Sequence, residues 1–216
     1  MFKLVCAALA LSLAAASVQA APLTYFEDDF SSYGNTTVLD APDSLFNGNW
    51  VTTNGTVDFI GANDMTYGNP GNNGLLCEAN AACVDLDGST SDAVQFSTGN
   101  TFADGYYNVL FAISGSNRAG NDSLTISFGG VVTTISLMFD KATWSGAPVF
   151  GGIFNSILVT SPTVLSFQND GGDNIGMILK YVRIERVAPV PVPAAGGLLV
   201  VGLMGMAVLR RRKTRS

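Results

Sequence analysis

The sequence predicts an all-β fold, an antiparallel β-sandwich or jelly roll, over residues 21–187. Three observations support this prediction. Apolar and polar residues alternate with a period of two, turns rich in Gly and Asn recur at short intervals, and no segment of the domain has the period of an amphipathic helix. A parallel sheet would need helices between its strands, so the antiparallel arrangement is expected.

Period-two patterns predict individual strands, and about ten short strands are expected in all. The clearest cover residues 107–113, 124–128, 131–139, 163–167 and 178–184. Turns are predicted at 115–117, 129–130 and 169–172, where Gly, Asn, Ser and Asp cluster. Residues 40–70 allow no strand order to be assigned, and we expect their large aromatic residues on loops and short edge strands: Trp50, Phe59 and Tyr67.

The first 20 residues have the pattern of a secretory signal peptide. Lys3 precedes an apolar run that ends at Ala16 and is too short to span a bilayer. Val18 and Ala20 place small or modest side chains at the two positions that a signal peptidase inspects. We therefore expect cleavage after Ala20, with an uncleaved anchor helix as the alternative.

The C-terminal end predicts a transmembrane helix. Residues 188–193 form a Pro-rich linker that cannot be helical, and the uncharged run 194–209 would give roughly 24 Å of helix. A basic cluster follows at once and would remain in the cytoplasm as part of the tail 210–216: Arg210, Arg211, Arg212 and Lys213. The β-domain would then lie outside the inner membrane. The alternative is a buried C-terminal helix of a soluble protein.

The charge of the β-domain is strongly negative. All 17 acidic residues of the chain but only five of its 11 basic residues lie within 21–187, which gives that segment a net charge of 5 − 17 = −12. Nucleic acid and anionic lipid surfaces are therefore not expected as partners.

Cysteine usage agrees with export. Cys6 belongs to the predicted signal peptide, which leaves Cys77 and Cys83 in the β-domain. In an oxidising compartment the two are expected to form a disulfide that closes a small loop. Metal binding is the lesser alternative, because the chain contains no histidine.

The same absence of histidine bears on catalysis. Without histidine, and with both domain cysteines assigned to a disulfide, hydrolase triads are excluded. A glycosidase needs only two carboxylates, but most acidic residues here lie beside Gly, Asn or Ser in turn-like contexts that favour solvated surface. We therefore predict no enzymatic activity and no catalytic residue.

Two groups of acidic residues are candidates for a structural calcium ion, the only cofactor that the sequence suggests. Asp85, Asp87 and Asp92 surround Gly88 in an oxygen-rich segment, although Phe96 stands where an EF-hand has Glu. The alternative is a strand that exposes Asp85 and Asp87 on one face. The second group, 27–29, could approach Asp173 or Glu185 if the terminal strands are neighbours. Pairing with Arg183 or Arg186 would explain those acids without a metal.

A carbohydrate site would need aromatic rings to stack on sugar faces and polar side chains to pair with hydroxyls. The candidates for this ligand-binding role are Trp50, Tyr67, Asn117, Arg118 and Trp144. The alternative is that the aromatic residues belong to the core or to sheet edges and that Arg118 neutralises Asp122.

The C-terminal motif resembles a known sorting signal. Val190, Pro191, Val192, Pro193 and Ala194, followed by a Gly/Leu/Val-rich helix and an Arg cluster, resemble the VPLPA-type branch of the PEP-CTERM signals on exported proteins of Gram-negative bacteria. Val192 departs from the usual Leu. The resemblance implies recognition by an exosortase, a membrane protease-transpeptidase, and delivery to the cell surface or the extracellular polymer matrix.

Four segments of the domain resemble successive motifs of galactose-binding-like jelly rolls: 83–89, 105–111, 114–118 and 176–184. This resemblance implies a domain that binds carbohydrate, in some members with a structural calcium ion. The expectation is thus an exported surface or matrix protein, held in the inner membrane before processing, with extracellular polysaccharide and an exosortase as partners. A structural matrix component without a defined ligand is the alternative, and a glycoside hydrolase is the less favoured one.

Overall fold

The computed structural model describes residues 23–62, 77, 81–90, 92–115, 120–139, 150–174 and 176–187. The predicted signal peptide, linker, sorting motif, transmembrane helix and basic tail lie outside these ranges. Within them, no helix combines the length and the apolar character needed to cross a membrane.

The described residues form eleven β-strands and two short 3-10 helices. The strands are β1 (Leu23–Asp28), β2 (Trp50–Thr53), β3 (Asp58–Ile60), β4 (Cys83–Asp85), β5 (Gln95–Thr98), β6 (Gly105–Ser114), β7 (Gly120–Phe128), β8 (Val131–Phe139), β9 (Phe150–Val159), β10 (Ser166–Asn169) and β11 (Ile178–Val187). The 3-10 helices are Ser31–Tyr33 and Asp43–Phe46. The predicted all-β class is confirmed.

The strands form two antiparallel sheets that enclose one core. Sheet A has the order β3-β4-β11-β6-β9, with β1 also paired to β11, and sheet B has the order β2-β5-β10-β7-β8. Eight strands pair from the outside inwards: β4 with β11, β5 with β10, β6 with β9 and β7 with β8. The chain from β4 to β11 therefore follows the path of one long hairpin, whose strand pairs alternate between sheet A and sheet B. This is the pairing of a jelly roll, as predicted.

The period-two patterns correctly identify four long strands, β6, β7, β8 and β11, but the predicted segments do not include the ten-residue strand β9. Tyr107, Val109, Phe111 and Ile113 of β6 all face the core, as do the alternating apolar residues of β7. At the tip of the β7–β8 hairpin, Gly129 and Gly130 have φ angles of 57° and 81°. Such angles suit a two-residue hairpin turn and favour glycine over residues with a side chain.

One predicted strand begins three residues too early. Thr163 forms only an isolated bridge with Phe102, and the ladder of β10 starts at Ser166. The backbone before β10 is used elsewhere: Leu165 donates from its N–H to the hydroxyl of Thr98 and accepts at its carbonyl from the Thr98 N–H.

Residues 40–70, for which the sequence predicts no strand order, contain two edge strands. Trp50 lies on β2 at the edge of sheet B, and Phe59 lies on β3 at the edge of sheet A. Both rings are nevertheless fully buried, because each edge strand turns its large aromatic residue into the space between the sheets. Tyr67 lies outside the described residues.

Candidate functional site

A pocket of about 280 Å³ opens beside sheet A, where β1, β6 and β11 meet the segment that precedes β4. We refer to it as the sheet A pocket. Seven residues line it: Asp29, Ser31, Ala81, Ala82, Ala112, Lys180 and Tyr181. These residues carry a carboxylate, a hydroxyl, an ammonium group, an aromatic ring and three methyl groups.

A β-bulge brings two consecutive residues of β11 to this pocket. The register between β11 and β6 shifts between Leu179 and Tyr181, and Tyr181 lies opposite Ala112. In a regular strand neighbouring side chains point to opposite faces, whereas a bulge re-aims one of them. Lys180 and Tyr181 consequently both line the pocket.

The turn after β1 forms a second wall and is strongly constrained. Phe30 is fully buried and has a φ of 62°, an unfavourable backbone conformation for a bulky residue. Asp28 holds this turn from the core side, because its carboxyl group accepts hydrogen bonds from the Phe30 N–H at 2.8 Å, the Trp50 Nε1–H at 2.8 Å and the Tyr33 hydroxyl. Such strain is a feature of ligand sites and must be held by the surrounding structure.

Asp29 is held in position by its own turn. The Ser31 hydroxyl donates to Asp29 Oδ1 at 2.6 Å, and the Ser31 backbone N–H donates to the same oxygen at 3.0 Å. These bonds favour the charged form and lower the pKa of Asp29. The pocket thus contains a carboxylate that is ionised at neutral pH.

The Tyr181 phenol, unlike the Asp29 carboxyl group, is held in its protonated form. Burial, together with the hydrogen bond that its hydroxyl donates to Glu27 Oε1 at 2.7 Å, raises the pKa of Tyr181 to about 12. The phenol therefore remains neutral at physiological pH. The hydrogen bond also restrains the ring, which leaves less side-chain freedom to be lost when a ligand binds.

The predicted disulfide between Cys77 and Cys83 is confirmed, with the two Cα atoms 5.7 Å apart. Both cysteines pack with Ile60 and Ile178 in a small apolar cluster. Ala81 and Ala82 lie between the two cysteines in the sequence and line the sheet A pocket. The disulfide therefore anchors the segment through which Ala81 and Ala82 line the pocket.

The structure contradicts the prediction that Trp50 binds a ligand. Its side chain is 0% exposed and its ring stacks on Phe96 with the centroids 4.6 Å apart. Its indole N–H donates to Asp28, so both the ring face and the polar atom are occupied by the protein. The other predicted ligand-binding residues lie outside the described ranges: Tyr67, Asn117, Arg118 and Trp144.

The expected exposure of the acidic strand residues is wrong. Asp85 and Asp87 are only 2% and 1% exposed, because the chain before β11 covers them: Leu86 donates from its N–H to the Met177 carbonyl at 2.9 Å. Asp92 is exposed. No group of three or more His, Cys, Asp or Glu side chains that could hold a metal ion occurs among the described residues. The predicted calcium ligands Asp85, Asp87 and Asp92 are therefore not brought together as a set.

In the second acidic group, Glu185 has the predicted arginine partner, whereas the acids at 27–29 accept hydrogen bonds from uncharged groups. Strands β1 and β11 are neighbours, with Glu27 opposite Arg183 and Thr24 opposite Glu185. Arg183 forms an ion pair with Glu185 at 2.6 Å and donates to the Thr24 hydroxyl at 3.0 Å. Glu185 is thus paired with a cation of its own strand.

Sequence reasoning did not identify the sheet A pocket. Three of its seven lining residues are alanines, which carry no chemical signal, and the bulge that places Lys180 beside Tyr181 depends on pairing with β6. Both residues lie in the segment 176–184, whose resemblance to galactose-binding-like motifs implies no particular role for either of them.

No protein-family model matches this chain, and no curated relative matches it. Similar solved structures include TmCBM61 in complex with beta-1,4-galactotriose, at 16% identity and a TM-score of 0.42, over 69% of this chain and 99% of that one. Another is the K1 cleaved adhesin domain of Lys-gingipain from Porphyromonas gingivalis, at 11% identity and a TM-score of 0.48, over 76% and 98% of the two chains. A third is a family 35 carbohydrate binding module from Clostridium thermocellum, at 11% identity and a TM-score of 0.37, over 69% of this chain and 97% of that one. Likeness at this level carries no argument about ligand or activity.

Proposed function

We propose that this chain is an exported cell-surface or extracellular-matrix protein whose β-sandwich binds carbohydrate in the sheet A pocket. The observation that carries the proposal is the bulge of β11, which places Lys180 and Tyr181 in one pocket with Asp29 and Ser31. The sorting signal and the membrane helix that deliver the domain belong to the same proposal and rest on the sequence.

The chemistry of the pocket suits a sugar unit. A sugar presents hydroxyl groups around its ring and patches of C–H bonds on its faces. The Asp29 carboxylate can accept from hydroxyls and the Lys180 ammonium group can donate to them, while the Tyr181 ring and the alanine methyl groups offer apolar contact. A volume of about 280 Å³ lies just below the usual range for ligand pockets, which favours a short sugar segment.

The arrangement favours binding over hydrolysis. Glycoside hydrolysis generally uses two carboxyl groups on either side of the scissile bond. Among the described lining residues, Asp29 supplies the only carboxyl group. The proposed function is therefore recognition of a polysaccharide without cleavage.

Retention on the extracellular polysaccharide of the producing organism tests the binding proposal. We expect the native protein to be retained and Tyr181→Ala to lose about tenfold in affinity, which corresponds to a loss of about 1.4 kcal/mol of ring contact and orientation. Thr53→Ala, on sheet B, is the matched control and should bind like the native protein. Failure of the native protein to bind either this polymer or any sugar of a glycan array would contradict the proposal.

Mass spectrometry of the protein from its native host tests the proposed export route. Cleavage after Ala20 gives a mature chain that begins at Ala21, and processing by an exosortase removes the residues that follow the motif at 190–194. An intact Ser216 would count against processing, and a retained Met1 would count against export.

A further inference from the structure

One strand edge of the sandwich differs from the others. Edges of β-sheets are normally protected by shortness, charge, proline or bulges, because their backbone groups can otherwise pair with another chain. Strands β2 and β3 have only four and three residues, and β1 carries Glu27. Strand β9 is broken by a bulge at Ser156, whose φ is 55° and whose N–H donates to the Asn108 side chain.

Strand β8 has none of these protections. It runs for nine residues from Val131 to Phe139 without a charged residue or a proline. All nine residues pair with β7 in one unbroken register. In the part of the chain that the structure describes, β8 pairs with β7 alone.

The hairpin turn fixes which backbone groups of β8 point away from β7. Phe128 and Val131 flank the two-residue turn and form its closing pair, which is hydrogen-bonded in such hairpins. Hydrogen-bonded and non-hydrogen-bonded pairs then alternate along the ladder. The N–H and C=O groups of Val132, Thr134 and Ser136 are therefore directed to the outer edge.

The side chains beside this edge also suit close approach of another strand. Val132 is 64% exposed, and Thr134 and Ser136 are exposed on the same face. The neighbouring outward residues of β7 are the uncharged Ser123, Thr125 and Ser127. On the inner side of β8, Ile135 and Leu137 are only partly buried against the core, so an added strand would shield them further from water.

We propose that β8 pairs with the β8 strand of a second copy of this chain, which extends sheet B from five strands to ten. An antiparallel pair of identical strands has two-fold symmetry, so the contact closes as a dimer and does not continue as a fibre. A second copy is the proposed occupant because two domains that each have a net charge of −12 repel least where neither presents charge, as along β8.

Sedimentation equilibrium of the full chain tests this assignment. The native protein should have twice the mass of one chain, and Thr134→Pro should halve that mass. Proline at this position removes an N–H that points away from β7, so no hydrogen bond of the β7–β8 ladder is lost. Thr134→Lys is the second variant, because it leaves the backbone intact and brings two cations to the interface.

The matched control is Thr53→Lys on β2, which adds the same charge to the outer face of the same sheet at its opposite edge. It should remain dimeric, and circular dichroism should show native strand content for all three variants. A native protein that is monomeric at every accessible concentration overturns the proposal. So does a dimer that survives both Thr134 variants, or one that Thr53→Lys dissociates equally.

Discussion

The turn that builds one wall of the sheet A pocket depends on a single buried carboxyl group, and its removal is the most informative perturbation of the fold. Asp28 accepts hydrogen bonds from three donors on two segments: the Phe30 N–H and the Tyr33 hydroxyl of the following turn, and the Trp50 indole N–H of β2. Replacement by alanine removes all three acceptor contacts at once and leaves the donors in place.

The expected loss of stability depends on how deeply each of the three donors is buried and on whether it has another hydrogen-bond partner. The Trp50 residue is fully buried, and a buried donor left without a partner costs about 1–3 kcal/mol. The Phe30 N–H lies in an equally buried residue and adds a comparable cost. Tyr33 is partly exposed and also accepts from the Asn49 side chain at 2.9 Å, so its contribution is about 1 kcal/mol or less. We expect Asp28→Ala to lower the free energy of unfolding by about 3–5 kcal/mol.

Urea denaturation followed by tryptophan fluorescence measures this loss, since Trp50 is a direct partner of Asp28. Asp29→Ala is the matched control one residue away: Asp29 is exposed and, among the described residues, it bonds to Ser31 of its own turn, so the loss should stay below about 1 kcal/mol. If Asp28→Ala unfolded within 1 kcal/mol of the native protein, the reasoning that Asp28 holds the strained turn at Phe30 would be refuted.

Three further predictions concern the disulfide, Tyr181 and the glycine beneath Phe111. Replacement of Cys77 and Cys83 by alanine should lower the free energy of unfolding by about 2 kcal/mol, which is the value of the chain-entropy relation for so short a loop. The same replacement should weaken sugar binding, and unchanged binding would show that the disulfide does not shape the pocket. The raised pKa of Tyr181, about 12 against 10 when unfolded, contributes stability that is complete below pH 10 and is lost as the pH rises through 12. Tyr181→Phe should therefore lose less stability than the native protein between pH 10 and 12, and parallel stability curves would contradict this. Gly152→Ala should destabilise the domain by about 1–3 kcal/mol in thermal or urea unfolding, because the added Cβ would come within 2.0 Å of the Phe111 ring; an unchanged midpoint would be the contrary result.

The strands that could be predicted are those whose environment is set by local pattern. In β6 and β7 every second residue faces the core, so a period of two appears in the sequence and survives in the structure. The Gly129-Gly130 turn was equally predictable, because both positions have positive φ angles. Strands β2 and β3 were not, since strands of four and three residues are too short to show a period.

The site was less predictable because its residues acquire their roles through distant contacts. The sequence around Trp50 is compatible with a sugar-binding ring, because no residue near it reveals that its partner is Asp28, 22 residues earlier. The burial of Asp85 and Asp87 likewise comes from the chain before β11, about 90 residues further on. Lys180 and Tyr181 share a pocket only because of the register shift against β6.

The claim that the sandwich binds carbohydrate in the sheet A pocket is tested most directly by NMR chemical-shift mapping. The probe is a set of oligosaccharides released from the extracellular polymer of the producing organism. The account predicts that the largest backbone amide shifts occur at Asp29, Ser31, Ala112 and Tyr181, with none on the outer face of sheet B. Bound oligosaccharide whose shifts cluster on any other surface would contradict it, as would an unchanged spectrum with every fraction.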